Sequence, residues 1–169
     1  METLASFALT KLRPPQPRGE LIARPVLDAS LDAALRERRL VLLCAAAGFG
    51  KTALLVRALQ RLDADAVRVW VSVDDDDDAQ RLLAALLAAL EPADLPWRTD
   101  PDALVAALGR GELRNVAAEL VNALAAAGVT RGVIAFDDLH RVRDARAFDW
   151  LDMLVERLPP AWTLAITSR

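Results

Sequence analysis

The sequence predicts an α/β fold with three layers, α/β/α, around a mainly parallel sheet of four strands. Short apolar runs at residues 40–44, 67–73, 132–136 and 163–167 alternate with longer stretches of helical periodicity. Strands that alternate with helices are joined by right-handed crossovers and therefore lie parallel. The length of 169 residues and the apolar fraction of 54%, much of it alanine, indicate one domain whose small side chains suit helices packed closely on a sheet.

The chain begins with a lead-in that is rich in proline and charge. Residues 1–24 contain three closely spaced prolines that disfavour a regular helix, so we expect an extended segment that lies across the domain surface. Residues 25–169 are expected to form the domain itself. Leucines at helical spacing, entered at Arg24-Pro25, predict a first helix over residues 25–38.

Two strands and a helix are predicted next. Residues 40–44 are a continuous apolar run, typical of a strand that is buried on both faces of a parallel sheet. Cys44, the single cysteine, lies in this run and is expected to be a small core residue. A helix follows, with apolar positions from Leu54 to Leu59. Residues 67–73 are rich in valine and include Trp70, which predicts the second strand.

The second half of the chain continues the alternation. A helix rich in alanine and leucine ends near Leu90, and a proline-rich surface loop follows over residues 91–101. Two helices, near residues 102–108 and 113–124, precede the third strand. A helix over residues 148–158, ended by two prolines, then leads to the fourth strand.

Five consecutive aspartates, residues 74–78, separate the second strand from the next helix. An acidic run can indicate a cation site. Adjacent carboxylates on a helix point in different directions, however, and helix N-termini favour aspartate as a cap and through the dipole. A solvated helix start is therefore favoured over a metal site.

Composition argues against two classes of function. The net charge of −3 and the pI near 5.2 give no general attraction for nucleic acid, and no stretch combines clustered arginines with aromatic residues. The longest apolar stretches, residues 40–49 and 82–90, are shorter than the roughly 18 residues of a bilayer span. Glu2 stands where a signal peptide carries basic charge. We therefore expect a cytoplasmic chain without direct nucleic-acid or membrane binding.

The most informative motif follows the first strand. Residues 45–52 form a glycine-bearing turn that closes on Gly-Lys-Thr, although Ala45 stands where the usual pattern has glycine. A strand, a glycine-rich turn and a helix start aim backbone N–H groups at one point, which attracts polyphosphate. Lys51 is expected to reach the β- and γ-phosphates, and Thr52 to ligate Mg²⁺. The predicted phosphate-binding residues are Ala47, Gly48, Phe49, Gly50, Lys51 and Thr52.

Lysine usage supports this interpretation of the loop. Only two of the 21 basic residues are lysines, Lys11 and Lys51. A phosphate cradle favours a compact point charge on a flexible stem over the rigid fork of arginine. The alternative, an ordinary strand-to-helix turn with an incidental lysine, is disfavoured by the order strand, loop, helix.

Polar residues follow the third and fourth strands, at the sheet edge where ligands bind in open parallel sheets. Asp137 and Asp138 fit a Walker B element, in which Asp137 would hold Mg²⁺ through its water shell and Asp138 would orient or deprotonate the attacking water. His140, the sole histidine, either senses phosphate or positions water, or is a structural hydrogen-bond partner. Thr167-Ser168-Arg169 is suited to read the γ-phosphate; the alternative is a disordered terminal arginine.

In their order along the chain, these motifs resemble the STAND-class P-loop ATPase domains of MalT-like, LuxR-type transcriptional regulators. The resembling stretches are Thr10-Lys11-Leu12-Arg13-Pro14-Pro15, Arg24-Pro25, Ala47-Gly48-Phe49-Gly50-Lys51-Thr52, Asp137-Asp138-Leu139-His140 and Thr167-Ser168-Arg169. The resemblance implies that ATP or ADP binds with Mg²⁺ and that ATP drives an inactive-to-active switch, reset by slow hydrolysis. It also implies that Arg24 and Pro25 lie near the base and that Arg169 senses the γ-phosphate. Ala46 replaces the proline common in the family loop.

The family continues beyond the equivalent of Arg169 into a fifth core strand, a winged helix, a sensor arm and a helix-turn-helix. In related folds the Walker A strand lies between the fourth and fifth strands, so an open strand edge and either self-association or a protein partner are expected here. The competing function is an interaction module that keeps the fold with vestigial or no nucleotide binding. A metabolic kinase or hydrolase is ranked last because no acceptor-substrate site is visible.

Overall fold

The computed structural model describes residues 8–16, 19 and 22–169, and it contains one sheet of four parallel strands. The spatial order of the strands is β1-β4-β3-β2, and every pair is parallel. The predicted α/β fold with a parallel sheet is thereby confirmed. The strands are β1 (Leu40–Cys44), β2 (Val67–Ser72), β3 (Gly132–Asp137) and β4 (Trp162–Ser168).

Six α-helices in the described part of the chain cover the two faces of the sheet. Strand residues alternate between the faces, so that Trp70 packs with α1 and α2 while its neighbours Val69 and Val71 pack with the other helices. Three layers result, as predicted. The helices are α1 (Pro25–Glu37), α2 (Lys51–Gln60), α3 (Ala79–Leu90), α4 (Pro101–Gly109), α5 (Leu113–Ala126) and α6 (Ala145–Arg157).

Strand β1 lies at the edge of the sheet, and the prediction that it is buried on both faces is wrong. Among the described strands it pairs only with β4, and Leu42 is 58% exposed although its register partner Ile166 is buried. Cys44 is also exposed, so the prediction that it is a core residue is wrong as well. The physical reason is that the layer formed by α3–α6 covers β4 and β3 but does not extend over β1.

The lead-in is not wholly extended. Residues Leu9–Leu12 form a turn of 3₁₀ helix in which Lys11 is buried, and Leu12 packs against the core on the α3 side of the sheet. Residues 14–16 have no regular secondary structure, in agreement with their prolines. Pro17 and Arg18 lie outside the described residues.

Aspartate side chains start three of the helices. The carboxylates of Asp78, Asp100 and Asp144 accept backbone N–H groups at the first turns of α3, α4 and α6.

No helix in the part of the chain that the structure describes is long and apolar enough to cross a membrane.

Candidate functional site

The loop between β1 and α2 has a backbone that requires glycine. Gly48 and Gly50 have φ values of 84° and 77°, in the left-handed region that L side chains rarely adopt. Gly50 is the N-cap of α2 and provides no side-chain acceptor, so the first N–H groups of the helix are not capped by its side chain. Ala47 and Phe49 are exposed in the same loop. Such a helix start is suited to bind an anion.

The side chain of Lys51 folds back onto this loop. Its Nζ donates hydrogen bonds to the carbonyl oxygens of Ala45, at 2.7 Å, and Ala46, at 3.1 Å. Within the described residues no carboxylate forms an ion pair with it. Carbonyl dipoles leave the net charge uncompensated, so the ammonium group keeps its attraction for phosphate oxygens.

The structure brings together the two predicted metal ligands. The Thr52 hydroxyl donates to Asp137 Oδ1 at 2.8 Å, although the residues lie 85 positions apart in the sequence. The contact forms because α2 starts, and β3 ends, at the same edge of the sheet. A hydroxyl and a mostly buried carboxylate are hard oxygen donors, which suits Mg²⁺.

Thr167 connects both acids, a role that the sequence pattern did not reveal. Its hydroxyl donates to Asp137 Oδ1 at 2.6 Å and accepts the backbone N–H of Asp138 at 2.8 Å. Thr167 is fully buried at the end of β4, which lies between β1 and β3. A polar residue at the carboxyl end of a buried strand was the available signal, but the identity of its partners depends on strand order.

Asp138 adopts a left-handed backbone conformation, with φ of 61°, directly after β3. This conformation is uncommon for a residue other than glycine and costs on the order of 1 kcal/mol or more. The Asp138 carboxylate is partly exposed and lies 3.9 Å from His140 Nδ1 and 3.8 Å from Arg141 Nε. His140 Nδ1 is buried and has no hydrogen-bond partner in the described part of the chain, so the geometry favours neither of the two predicted roles of His140.

Arg24 and Pro25 lie at the entry of α1, beside the loop. Arg24 donates through Nη1 to the carbonyl oxygen of Phe49 at 3.0 Å, and Pro25 is the first residue of the helix. Asp28 fixes this entry, since its Oδ2 accepts the Arg24 N–H and a guanidinium N–H of Arg57.

A groove of about 470 Å³ opens between α1, β1 and the loop. Apolar side chains line it together with Arg24 and Lys51. Leu27 and Leu42 are among these apolar residues, and the sequence did not predict that they lie near the loop. Their proximity follows from the edge position of β1.

Arg169 follows β4 beside the start of the loop. Cys44 pairs with Ser168 in the sheet, and the Ala45 N–H donates to the Ser168 carbonyl oxygen at 3.4 Å. Among the described residues the exposed Arg169 guanidinium has no hydrogen-bond partner. The structure therefore places Arg169 next to the loop but not in contact with Lys51 or Asp137.

The sequence is similar to those of known proteins. The family model described as an AAA domain matches residues 34–168. The chain is 30% identical over 161 residues to the serine/threonine-protein kinase PknK of Mycobacterium tuberculosis and of Mycobacterium bovis. These residues are 94% of this chain but only 14% of the kinase, so the chain spans a small part of these relatives.

A solved structure has a similar fold. The Walker-type ATPase PABY2304 of Pyrococcus abyssi superposes with a TM-score of 0.57 at 17% sequence identity, over 95% of this chain and 49% of that one. At this identity the likeness concerns the fold alone.

Proposed function

The chain belongs to the AAA domain family, and from this premise we propose that it binds ATP or ADP with Mg²⁺ as a P-loop nucleotide switch that hydrolyses ATP slowly at most. The observation that carries the proposal is the contact between Thr52 and Asp137 next to the free charge of Lys51. Cation, hydroxyl and carboxylate meet at one edge of the sheet, as a magnesium-bound triphosphate requires.

Each residue has a distinct role in this proposal. Lys51 exchanges its two carbonyl partners for phosphate oxygens, and the N–H groups of the loop from Ala47 to Thr52 bind the remaining oxygens. Thr52 and Asp137 hold Mg²⁺, which neutralises phosphate charge when bound. Asp138 orients or deprotonates the attacking water.

The groove beside the loop is the proposed site of the nucleoside. Arg24 and Pro25 flank it, and the apolar side chains of Leu27 and Phe49 offer surfaces for a flat base. Arg169 would reach the γ-phosphate by a change in the conformation of its exposed side chain. Its position next to the start of the loop supports this role.

The order of motifs favours a STAND switch in a cytoplasmic transcriptional regulator. The similarity to PknK points to a different kind of output, a kinase domain in a longer chain. The proposed switch is compatible with either a transcriptional regulator or a kinase, because nucleotide binding and hydrolysis would depend on the phosphate loop and on Asp137 and Asp138.

Thermal unfolding with and without Mg·ATP tests the proposed function. A ligand at about a thousand times its Kd adds roughly 4 kcal/mol of stability to the folded state. We expect a clear upward shift in Tm for the wild type, none for Lys51→Met, and the full shift for the matched control Arg114→Met on α5. Absence of a shift in the wild type, or an equal shift in Lys51→Met, would contradict nucleotide binding.

A second candidate function is supported by the edge of the sheet. Leu42 on β1 is 58% exposed and is an apolar side chain available to another chain, and the outer edge of β1 has no strand partner within the described residues. We propose self-association or a protein partner at this edge. A monodisperse monomer in sedimentation at tens of micromolar would count against self-association.

A further inference from the structure

Lys11 is buried, which is unusual for a lysine. Its side chain is 6% exposed, and its Nζ donates to Asp77 Oδ2 at 2.5 Å and to Asp74 Oδ2 at 3.0 Å. The Asp77 side chain is 1% exposed, so neither charge of the inner pair is solvated. A buried ion pair is maintained only where both partners stay in place.

The five aspartates that follow β2, here called the acidic loop (residues 74–78), form a turn around this pair. Asp77 Oδ2 accepts the Asp74 N–H at 2.8 Å, and the Asp77 N–H donates to the Asp74 carbonyl oxygen at 3.1 Å. Asp78 caps α3. The interpretation of this run as a solvated helix start is therefore correct for Asp78 and wrong for Asp77.

The acidic loop is tied to the candidate site at two points. Val73, directly before it, donates its N–H to the carbonyl oxygen of Asp137 at 2.9 Å. Asp75, inside the turn, accepts a hydrogen bond from Arg141 Nη1 at 3.0 Å. Arg141 also lies 3.8 Å from the carboxylate of Asp138 through Nε. One guanidinium thus joins the acidic loop to the proposed hydrolytic acid.

We propose that Lys11 and Arg141 are positioning residues for Asp138. Lys11 closes the acidic loop, the loop presents Asp75, and Asp75 holds Arg141 against the Asp138 carboxylate. Asp138 needs such support because its carboxylate is 35% exposed and its backbone is left-handed, with only Thr167 binding its N–H. This inference rests on the proposed function and extends it, since it links the segment before α1 to hydrolysis.

Loss of Lys11 would remove the buried counter-charge of Asp77, and Arg81, an exposed side chain whose Nε lies 3.8 Å from Asp77 Oδ1, would be its remaining ion-pair partner among the described residues. Asp77 would then move toward water and the turn would open. Asp75 would no longer be held opposite Arg141, and the Asp138 carboxylate would lose its orientation. The consequence would reach the site although Lys11 itself contacts neither Asp138 nor the phosphate loop.

His140 provides a direct reporter for the test. It is the only histidine of the chain, and its Nδ1 lies 3.9 Å from Asp138 Oδ1, so a tag-free sample gives one set of imidazole resonances. The experiment records these resonances by NMR for the wild type, Lys11→Met and Asp75→Asn. Asp76→Asn is the matched control, because Asp76 is an exposed neighbour in the same loop with no ion pair among the described residues.

We expect the His140 resonances to shift in Lys11→Met and Asp75→Asn and to stay at the wild-type position in Asp76→Asn. If Lys11→Met does not fold, the double variant Lys11→Met with Asp77→Asn removes both buried charges, and Asp75→Asn changes only an exposed side chain. Unchanged resonances in folded Asp75→Asn, or equal shifts in Asp75→Asn and Asp76→Asn, would overturn the proposal.

Turnover gives the second readout. Asp75→Asn is expected to lower kcat for ATP hydrolysis about tenfold while the Kd for Mg·ATP changes less than about twofold. A merely structural role would not separate kcat from binding. A wild type that fails to bind Mg·ATP counts against the proposed function and not against the positioning contacts, which the NMR measurement decides by itself.

Discussion

The two lysines of this arginine-rich chain lie in opposite electrostatic settings. Among the described residues, Lys51 Nζ donates hydrogen bonds only to carbonyl oxygens, and the side chain keeps an unbalanced charge at a helix start. Lys11 is buried between two carboxylates that balance its charge within the fold. Removal of a cation that neutralises a buried carboxylate destabilises the protein, whereas a cation held by dipoles is available to a ligand. The rarity of lysine draws attention to both residues, but it does not show which one is available to a ligand and which one is paired within the fold.

The largest expected effect distinguishes the two lysines by their contribution to the binding of Mg·ATP. Lys51→Met should lose the roughly 4 kcal/mol that saturating Mg·ATP adds to the free energy of unfolding, and leave the ligand-free protein within about 0.5 kcal/mol of the wild type. Thermal unfolding in both conditions measures this. A large loss of stability without nucleotide would show that Lys51 also has a structural role and would break the comparison.

The reciprocal effect is expected at Lys11. Lys11→Met should lower the free energy of unfolding by about 3 kcal/mol, because the buried Asp77 carboxylate loses its close partner and keeps only the longer contact with the exposed Arg81 among the described residues, yet it should preserve the thermal shift with Mg·ATP. Urea denaturation measures the loss, and the double variant with Asp77→Asn should recover part of it. Wild-type stability in Lys11→Met would contradict the structural role.

A test with a smaller expected effect concerns Asp137 and Asp138, the two acids of the candidate site. Thr167→Val removes the hydroxyl that binds both Asp137 and the Asp138 N–H, so we expect Mg²⁺-dependent ATP affinity to fall about tenfold. Thr167→Ser keeps the hydroxyl and should retain most of the affinity. Calorimetric titration at several Mg²⁺ concentrations distinguishes the two variants; equal affinities would show that Thr167 does not support the metal site.

The smallest expected effect is on the pH dependence of stability and concerns Asp144. Hydrogen bonds from the Arg146 side chain, and from the N–H groups of Ala79 and Arg146, lower the pKa of Asp144 against the opposing effect of desolvation. A lowered pKa stabilises the folded state above the ordinary carboxyl value of about 4, and this stabilisation is lost as the pH falls through the folded pKa. Asp144→Asn should therefore be less stable by about 0.5 kcal/mol at pH 7 and show no such deficit near pH 2. Urea unfolding at both pH values measures it, and a deficit that persists at pH 2 would exclude the ionised form as its cause.

Much of the fold could be predicted from local pattern. The four strands and the helices between them begin and end within a few residues of their expected positions, because apolar periodicity and capping aspartates act over short distances. The phosphate loop is equally local. Its glycines at positions 48 and 50 need φ values that only this residue type adopts readily.

Other features could not be predicted in this way. An apolar run such as residues 40–44 has the same pattern in a central strand and in an edge strand, so the exposure of Leu42 and Cys44 was missed. The acidic loop likewise appears solvated until Lys11 is placed against it. In each case the decisive neighbour lies far away in the sequence.

The sequence by itself determined the α/β alternation and the loop with Lys51, since both depend on residues within a turn or two of one another. The motifs predicted that Thr52 and Asp137 share a magnesium ion, but tertiary structure decided the direct contacts of Asp137 with Thr52 and Thr167, which depend on the strand order. It also decided that Lys11 neutralises Asp77. The physical reason is that burial and charge pairing depend on distance in space, which the order of residues does not specify until the sheet has formed.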